Sequence, residues 1–325
     1  MTCGAYEAAI STNRFQLGAM AGQMFFSVLA IATNLRLLAF SFKIIYYHDN
    51  FKTFVRSLVV FNMVHCVLVI TLLSFHLISW ALLPPCDAVV PAFVCVAFRL
   101  PIIFSYVMDS LLQFGMAVER AIATIRKETY ADCSSFTGYV LVGFLSFVGL
   151  SLAGFCLRKY PFGTYLIYCS GASETTLEDA GRMNRIITGV IIFTFFFTIA
   201  LFVYNIRQLR KRTYDSLKRK SQLTENVTTL KLLLPLFSFH LVFFVVFSLV
   251  AGILDYFRES LDPIDHRGLV SAVYLIPVYN FLSPIVVQEI LRYCNRNRRQ
   301  KLTDVRKTNH NENDVYFDMY HQLWK

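Results

Sequence analysis

The chain has 325 residues, 56% of them hydrophobic and only 16% charged, against about a quarter charged in an ordinary soluble domain. With 31 Phe and 17 Tyr and its apolar residues gathered in blocks of membrane-spanning length, it cannot form one water-soluble core; the class is all-α and polytopic. The formal net charge of +10 sits in short segments between apolar blocks, which is the pattern of a topology signal rather than of a nucleic-acid surface.

Windows of about 20 residues pick out seven spans, near 17–40, 57–82, 91–118, 138–157, 186–206, 230–254 and 269–288. The first and seventh are the least clear. The first contains Gln23, Asn34 and Arg36, and the seventh contains Pro277 and Pro284. Alternate connecting segments carry twenty-one basic residues on one side and seven on the other. The basic side is cytoplasmic by the positive-inside rule, which places the N-terminus outside and the C-terminus inside and so requires an odd number of spans. The layout is then an extracellular tail over 1–16, a seven-transmembrane helix bundle over 17–288, a short amphipathic juxtamembrane helix over 289–300 and a disordered cytoplasmic tail over 301–325. Residues 1–16 lack a basic n-region and a separate short apolar run, so the first span is expected to act as its own insertion signal.

Of eight cysteines, Cys3, Cys86, Cys95 and Cys169 fall on the outer, oxidising side, where disulfides are permitted. Cys95 lies at the outer end of the third span and Cys169 midway along the longest outer loop, 158–185. A Cys95–Cys169 bridge would tie that loop over the bundle. Cys86 is the competing partner for Cys169, and Cys3 would take whichever of Cys86 and Cys95 remains. Cys66 and Cys156 read as buried small apolar residues. Cys294 reads equally as a palmitoylation site or a plain cytoplasmic thiol.

The third span carries its polar residues in order. Arg99, Tyr106, Asp109, Gln113 and Arg120 are separated by 7, 3, 4 and 7 positions and share one arc of roughly 80°. Lipid penalises charge, so this arc should face the bundle interior. Asp109 lies about 16 Å above Arg120, near mid-bilayer, where a carboxylate must be protonated, paired or bound to an ion. One reading makes Arg99 and Tyr106 a ligand pocket, with a conformational or ion-binding role for Asp109. The other makes the stripe a structural hydrogen-bond network with Asn34, Asn62 or His65. His65, His76 and His240 are isolated and read as packing residues. Neither metal-ligand spacing, a phosphate-cradling loop nor a nucleophile elbow is present, so the expectation is no enzyme, no metal and no cofactor.

At the inner face, Glu119-Arg120 closes the third span. The basic residues Arg207, Arg210, Lys211, Arg212, Lys218, Arg219 and Lys220 read as helical extensions of spans five and six, forming a cytoplasmic basic surface. The sequence "NVT" at Asn226 matches a glycosylation acceptor, but its inner location makes the match a stray one. Pro235, Pro277 and Pro284 would permit kinks, and hence pivots, in spans six and seven, although prolines are in any case commoner in membrane helices than in soluble ones.

Seven spans, an outer N-terminus, Cys95 at the top of span three and Glu119-Arg120 at its base together resemble a G-protein-coupled receptor. The match to the rhodopsin-like group is partial: Ala121 follows Glu119-Arg120, and Ser283-Pro284 is followed by Ile-Val-Val. The stretches "MAVERAIAT" (116–124), "ENVTTLKLLLPL" (225–236) and "VYNFLSPIV" (278–286) are similar to the nematode serpentine chemoreceptors of the Sra superfamily, most to class alpha/beta (Srab). That resemblance implies a chemosensory receptor in the plasma membrane or the ciliary membrane of sensory neurons. It would bind an external small molecule near Arg99, Tyr106 and Asp109 and act on a heterotrimeric G protein through Glu119, Arg120, Arg210, Lys211 and Lys218. Membrane lipid is the surrounding partner; homo- or heterodimerisation is left open. A ligand-gated channel or small transporter subunit is the alternative class, and tagging the two termini separates it from the receptor if its N-terminus lies inside.

Overall fold

The computed structural model describes residues 5–41, 49–84, 86–126, 130, 136–171, 175–210, 217–293 and 296. They form α1 (Ala5–Thr12), α2 (Arg14–Ser41), α3 (Asp49–Leu82), β1 (Val90–Pro91), α4 (Ala92–Ile125), α5 (Phe136–Leu157), β2 (Tyr165–Leu166), α6 (Leu177–Arg210), α7 (Leu217–Tyr256), α8 (Pro263–Val273) and α9 (276–293). Among the described residues, seven stretches are long and apolar enough to cross a membrane: α2 to α7 and the pair α8–α9. The chain is therefore an all-α, multi-pass membrane protein. Helix is what lipid demands, since every backbone amide and carbonyl must find its partner within the segment. Phe144, Phe147, Phe193, Phe196 and Leu249 are exposed on the outside of the bundle, where only lipid would make such a surface favourable.

The helices outrun the apolar blocks. α4 has 34 residues, about 51 Å of helix, against a hydrocarbon core of about 30 Å. α6 runs on to Arg210, and α7 is already helical at Leu217, so spans five and six carry helical extensions at the ends where their basic residues implied them. The first span starts at Arg14 rather than 17, because the Asn13 side chain accepts from the Phe15 and Gln16 amides at 2.9 and 3.0 Å and caps the helix. Residues 289–293 continue α9. The rest of the expected juxtamembrane helix, apart from Arg296, and the tail 301–325 lie outside the described residues.

α4 is the hub. It packs against α3, α5, α6 and α7, and small residues let it approach closely. A Cβ on Gly115 would come within 2.6 Å of both Leu145 Cδ1 on α5 and Phe54 Cε1 on α3, and one on Gly149 would come within 2.8 Å of Met108 Sδ.

The polar residues that blurred the first span serve the broken seventh one. Pro277 has no N–H to offer the Val273 carbonyl, and the helix parts at Tyr274 and Leu275. Tyr274 adopts φ −69°, ψ 77°, and the Leu275 amide donates to Val273 O at 2.7 Å, which is an inverse γ-turn. Pro277 thus stands at the start of α9, not inside a continuous helix. Gln23 Nε2 donates to Ser271 O at 2.6 Å beside the break. Pro284 likewise leaves the Asn280 carbonyl without its helical donor, and Asn34 Nδ2 supplies one at 3.0 Å.

Candidate functional site

All five members of the α4 polar arc are buried: Arg99 is 9% exposed, Tyr106 6%, Asp109 1%, Gln113 2% and Arg120 0%. Burial alone does not mark the arc, because Val107, Met108, Leu112 and Met116 are buried too; α4 is surrounded. The partners make the distinction. Each arc residue reaches a different element, and together they form a polar column through the bundle.

At the disulfide end, Cys95 and Cys169 are bonded, with Cα atoms 5.0 Å apart. Cys86 is disulfide-bonded as well, while Cys3 lies outside the described residues. Cys66 and Cys156 are free and buried. The bridge holds the segment after β2 across the end of the bundle, where β1 and β2 pair antiparallel with Val90 opposite Leu166. Arg99 Nε donates to Cys169 O at 2.6 Å, and the Cys169 amide donates to His76 Nε2 at 3.1 Å. Trp80 Nε1 donates to Ile167 O at 3.3 Å. The loop is fastened by both α3 and α4. Nearby, Arg158 grips Asp179 with two bonds of 2.8 and 3.0 Å; this hydrogen-bonded carboxylate holds the guanidinium's pKa above its usual value.

In the middle layers, Tyr106 donates to Asn184 Oδ1 on α6 at 2.9 Å and stacks on Phe244 of α7. With its amide nitrogen turned toward the carboxylate, Asn62 on α3 donates to both Asp109 oxygens at 2.6 and 3.0 Å. One turn on, Gln113 donates to the Tyr279 hydroxyl of α9 at 3.1 Å. That hydroxyl also meets His240 Nδ1 on α7 at 2.8 Å, and His240 Nε2 meets Ser110 Oγ at 3.2 Å. This short relay joins three spans. His65 Nδ1 donates to Ile102 O at 3.3 Å, and its Nε2 accepts from Tyr274 at 3.1 Å.

At the opposite end the column closes in a knot. Glu119 and Arg120 pair face to face through Nε–Oε2 at 2.5 Å and a second bond from Nη2 to Oε1. The remaining Arg120 nitrogen, Nη1, reaches α7, donating to Asn226 Oδ1 at 3.2 Å and Thr229 Oγ1 at 3.4 Å. Tyr130, just past α4, donates to Glu119 Oε1 and lies 3.4 Å from Arg120 Nη2. Burial, with the Glu119 carboxylate alongside, drives the Tyr130 hydroxyl's pKa upward, so it remains a donor at neutral pH. Thr124 Oγ1 donates to Arg120 O at 2.8 Å while accepting from Asn205 of α6 at 2.9 Å and Asn226 of α7 at 3.5 Å. Spans three, five and six therefore meet at one cluster. Between this knot and the Asp109 layer lies a mostly apolar cavity lined by Leu58, Met116, Leu233, Leu236 and Val287, with Asn34, Asn62 and Ser283 also on its wall. Of the basic surface, Arg210 is exposed at the end of α6; Lys211 and the side chain of Lys218 lie outside the described residues. Pro235 is inside α7, and Pro284 is inside α9. Among the described residues, no cluster of three or more His, Cys, Asp or Glu is arranged to hold a metal ion.

The model of the family described as "Serpentine type 7TM GPCR receptor class ab chemoreceptor" matches residues 3–325. The chain belongs to this family. Similar curated proteins are serpentine receptor class beta-17 of Caenorhabditis elegans, 25% identical over 74% of this chain and 68% of its own, and serpentine receptor class alpha/beta-14 of the same organism, 26% identical over 74% and 64%. Serpentine receptor class alpha-10 of Caenorhabditis briggsae is 20% identical over 76% and 72%. The chain thus spans about two thirds of the length of the curated relatives it matches.

For this serpentine receptor, several site members escaped the sequence. Tyr130 stands ten positions beyond Arg120 in a charged loop, where no periodicity ties it to the helix. Asn226 read as a stray glycosylation match, yet it is fully buried on Arg120. Its spacing to Thr229, three residues along one helix face, was the available signal. Ser110 lies only just beyond the edge of the polar arc. His240, isolated in the sequence, does pack, and it also bridges two hydroxyls.

Proposed function

We propose that this serpentine receptor binds an external small molecule at the disulfide end and signals to a heterotrimeric G protein at the Glu119–Arg120 end. The N-terminus is then outside and the C-terminus cytoplasmic, in the plasma membrane or ciliary membrane of a sensory neuron. The charge bias of the connecting segments and the position of the disulfide both support that orientation.

The observation that carries the reading is the Arg120 knot. A guanidinium excluded from water is tied to neutral acceptors on a different helix, Asn226 and Thr229 of α7. Such a contact can be released without leaving an ion pair broken, because Glu119 stays with Arg120. Two bundle states follow. In one, α7 is fastened to α4; in the other, its inner end swings away and Arg120 is offered to a partner. Pro235 within α7 and the break ahead of α9 give these helices joints. A ligand touching Arg99, Tyr106 and the Asp109 layer shifts the balance only through its differential affinity for the two states. Arg210, exposed at the end of α6, and the sequence neighbours Lys211 and Lys218 carry the positive charge offered to the G protein.

The test is nucleotide exchange. Arg120→Ala should reach the membrane and bind ligand but lose exchange on Gα. Undiminished exchange in that variant would refute the role given to Arg120.

A further inference from the structure

Beneath the disulfide roof, hydrogen-bond donors outnumber acceptors. Arg99 has five N–H donors. One goes to Cys169 O and a second, at 3.5 Å, to the Tyr168 hydroxyl; its guanidinium also lies 5.8 Å from the Tyr168 ring centre. None of its partners is an acid, and among the described residues it forms no ion pair. His76 adds another spare donor. Its Nε2 accepts from the Cys169 amide, so the ring is neutral and its proton is on Nδ1. That Nδ1 is buried with no partner, in a side chain that is 0% exposed. The Tyr168 hydroxyl accepts from Arg99 and is left with its own proton to give. His76 and Tyr168 are in ring contact, with centroids 5.2 Å apart, so the three side chains are neighbours.

A buried cation without a counter-charge is costly, and a buried donor without an acceptor costs about 1–3 kcal/mol. A bound carboxylate would answer both, being acceptor-only, negative and matched to the Arg fork. We infer that the Arg99–His76–Tyr168 cluster is a receptor site for the carboxylate of a small organic acid. The acid's apolar part points toward Tyr106, about 10 Å deeper along α4, where Phe244 and Phe247 continue an aromatic wall. This rests on the proposed reading of the disulfide end as the ligand side.

The test uses the full-length receptor in lipid nanodiscs without G protein. The probes are straight-chain carboxylates from butanoate to decanoate, each against its primary amide, and the readout is the saturable rise in thermal unfolding midpoint. At least one acid should half-saturate at a concentration about tenfold or more below its amide, in keeping with the greater strength of charge-assisted bonds. Arg99→Gln should abolish that preference. Because Arg99 also fastens the loop, Tyr168→Phe provides a gentler check: it keeps the ring and the Arg99–Cys169 bond and should weaken the acid several-fold. Equal response to acid and amide, an acid preference surviving Arg99→Gln, or no response to any acid in the series overturns the inference. An acid that binds through Arg99 but leaves Gα exchange unchanged supports this site while refuting the coupling reading.

Discussion

Asn34 and Pro284 lie 250 positions apart, yet the structure makes them one unit. Pro284 deletes the amide that should serve Asn280 O, and Asn34 Nδ2 replaces it at 3.0 Å while also donating to Ala30 O at 2.8 Å. Asn34→Leu, close in volume, leaves the Asn280 carbonyl buried without that donor, at a cost of about 1–3 kcal/mol. Part of this is offset, because the variant also removes Asn34 Oδ1, which is buried and unpartnered. The single substitution should therefore cost about 1 kcal/mol, near the low end of that range. In a Pro284→Ala background, the backbone amide restored at that position can serve Asn280 O itself, and the cost of Asn34→Leu should fall by about 0.6 kcal/mol or more, the usual scale of interhelical hydrogen bonds in membranes. Unfolding of all four proteins by SDS titration in mixed micelles closes the double-mutant cycle. Additivity to within about 0.3 kcal/mol would show that Asn34 does not compensate for the proline.

The other expectations concern the hub, the roof and the knot. Gly115→Val puts a branched side chain where even a Cβ falls within 2.6 Å of Leu145 and Phe54; it should lower stability in the same titration by about 1–3 kcal/mol through overpacking. Gly143→Ala, with open space around its Cβ, should cost much less. Cys95→Ser opens a bridge spanning 74 residues and should cost about 4 kcal/mol on chain-entropy grounds; a reductant, which also opens the bridge at Cys86, should cost at least as much. Asn226→Leu frees Arg120 Nη1 from one of its two α7 acceptors and should raise ligand-free nucleotide exchange several-fold, whereas Tyr130→Phe, which strips a donor from buried Glu119, should lower stability by about 1–3 kcal/mol. An epitope at the N-terminus should be stained on intact cells, and one at the C-terminus only after permeabilisation.

Much of the architecture was legible because membrane helices advertise themselves by length and hydropathy. The helical extensions of spans five and six were legible too, since charge at a helix end has few places to go. The partners of the polar arc were harder. Periodicity gives the direction in which Asp109 or Gln113 leaves α4, but not which helix stands there. Asn34 and Gln23 looked like blemishes in the first span; their reason is the backbone of the seventh, almost the whole chain away. Tyr130 was hidden for the opposite cause, being close in sequence but across a loop whose path no pattern predicts.

The make-up of the Arg120 knot bears on how sensitive such a receptor can be. Most of its strong contacts, from Glu119 and Tyr130 to Arg120, belong to α4 and the residues just after it, and they travel together. In the opening proposed for α7, Arg120 gives up its pair of bonds to Asn226 and Thr229, each about 1 kcal/mol net, and Asn226 its longer bond to Thr124. The Arg120 share, about 2 kcal/mol, corresponds to a ligand preference of only about thirtyfold between the two proposed states. A detector set that close to its tipping point can answer weakly bound, quickly released cues.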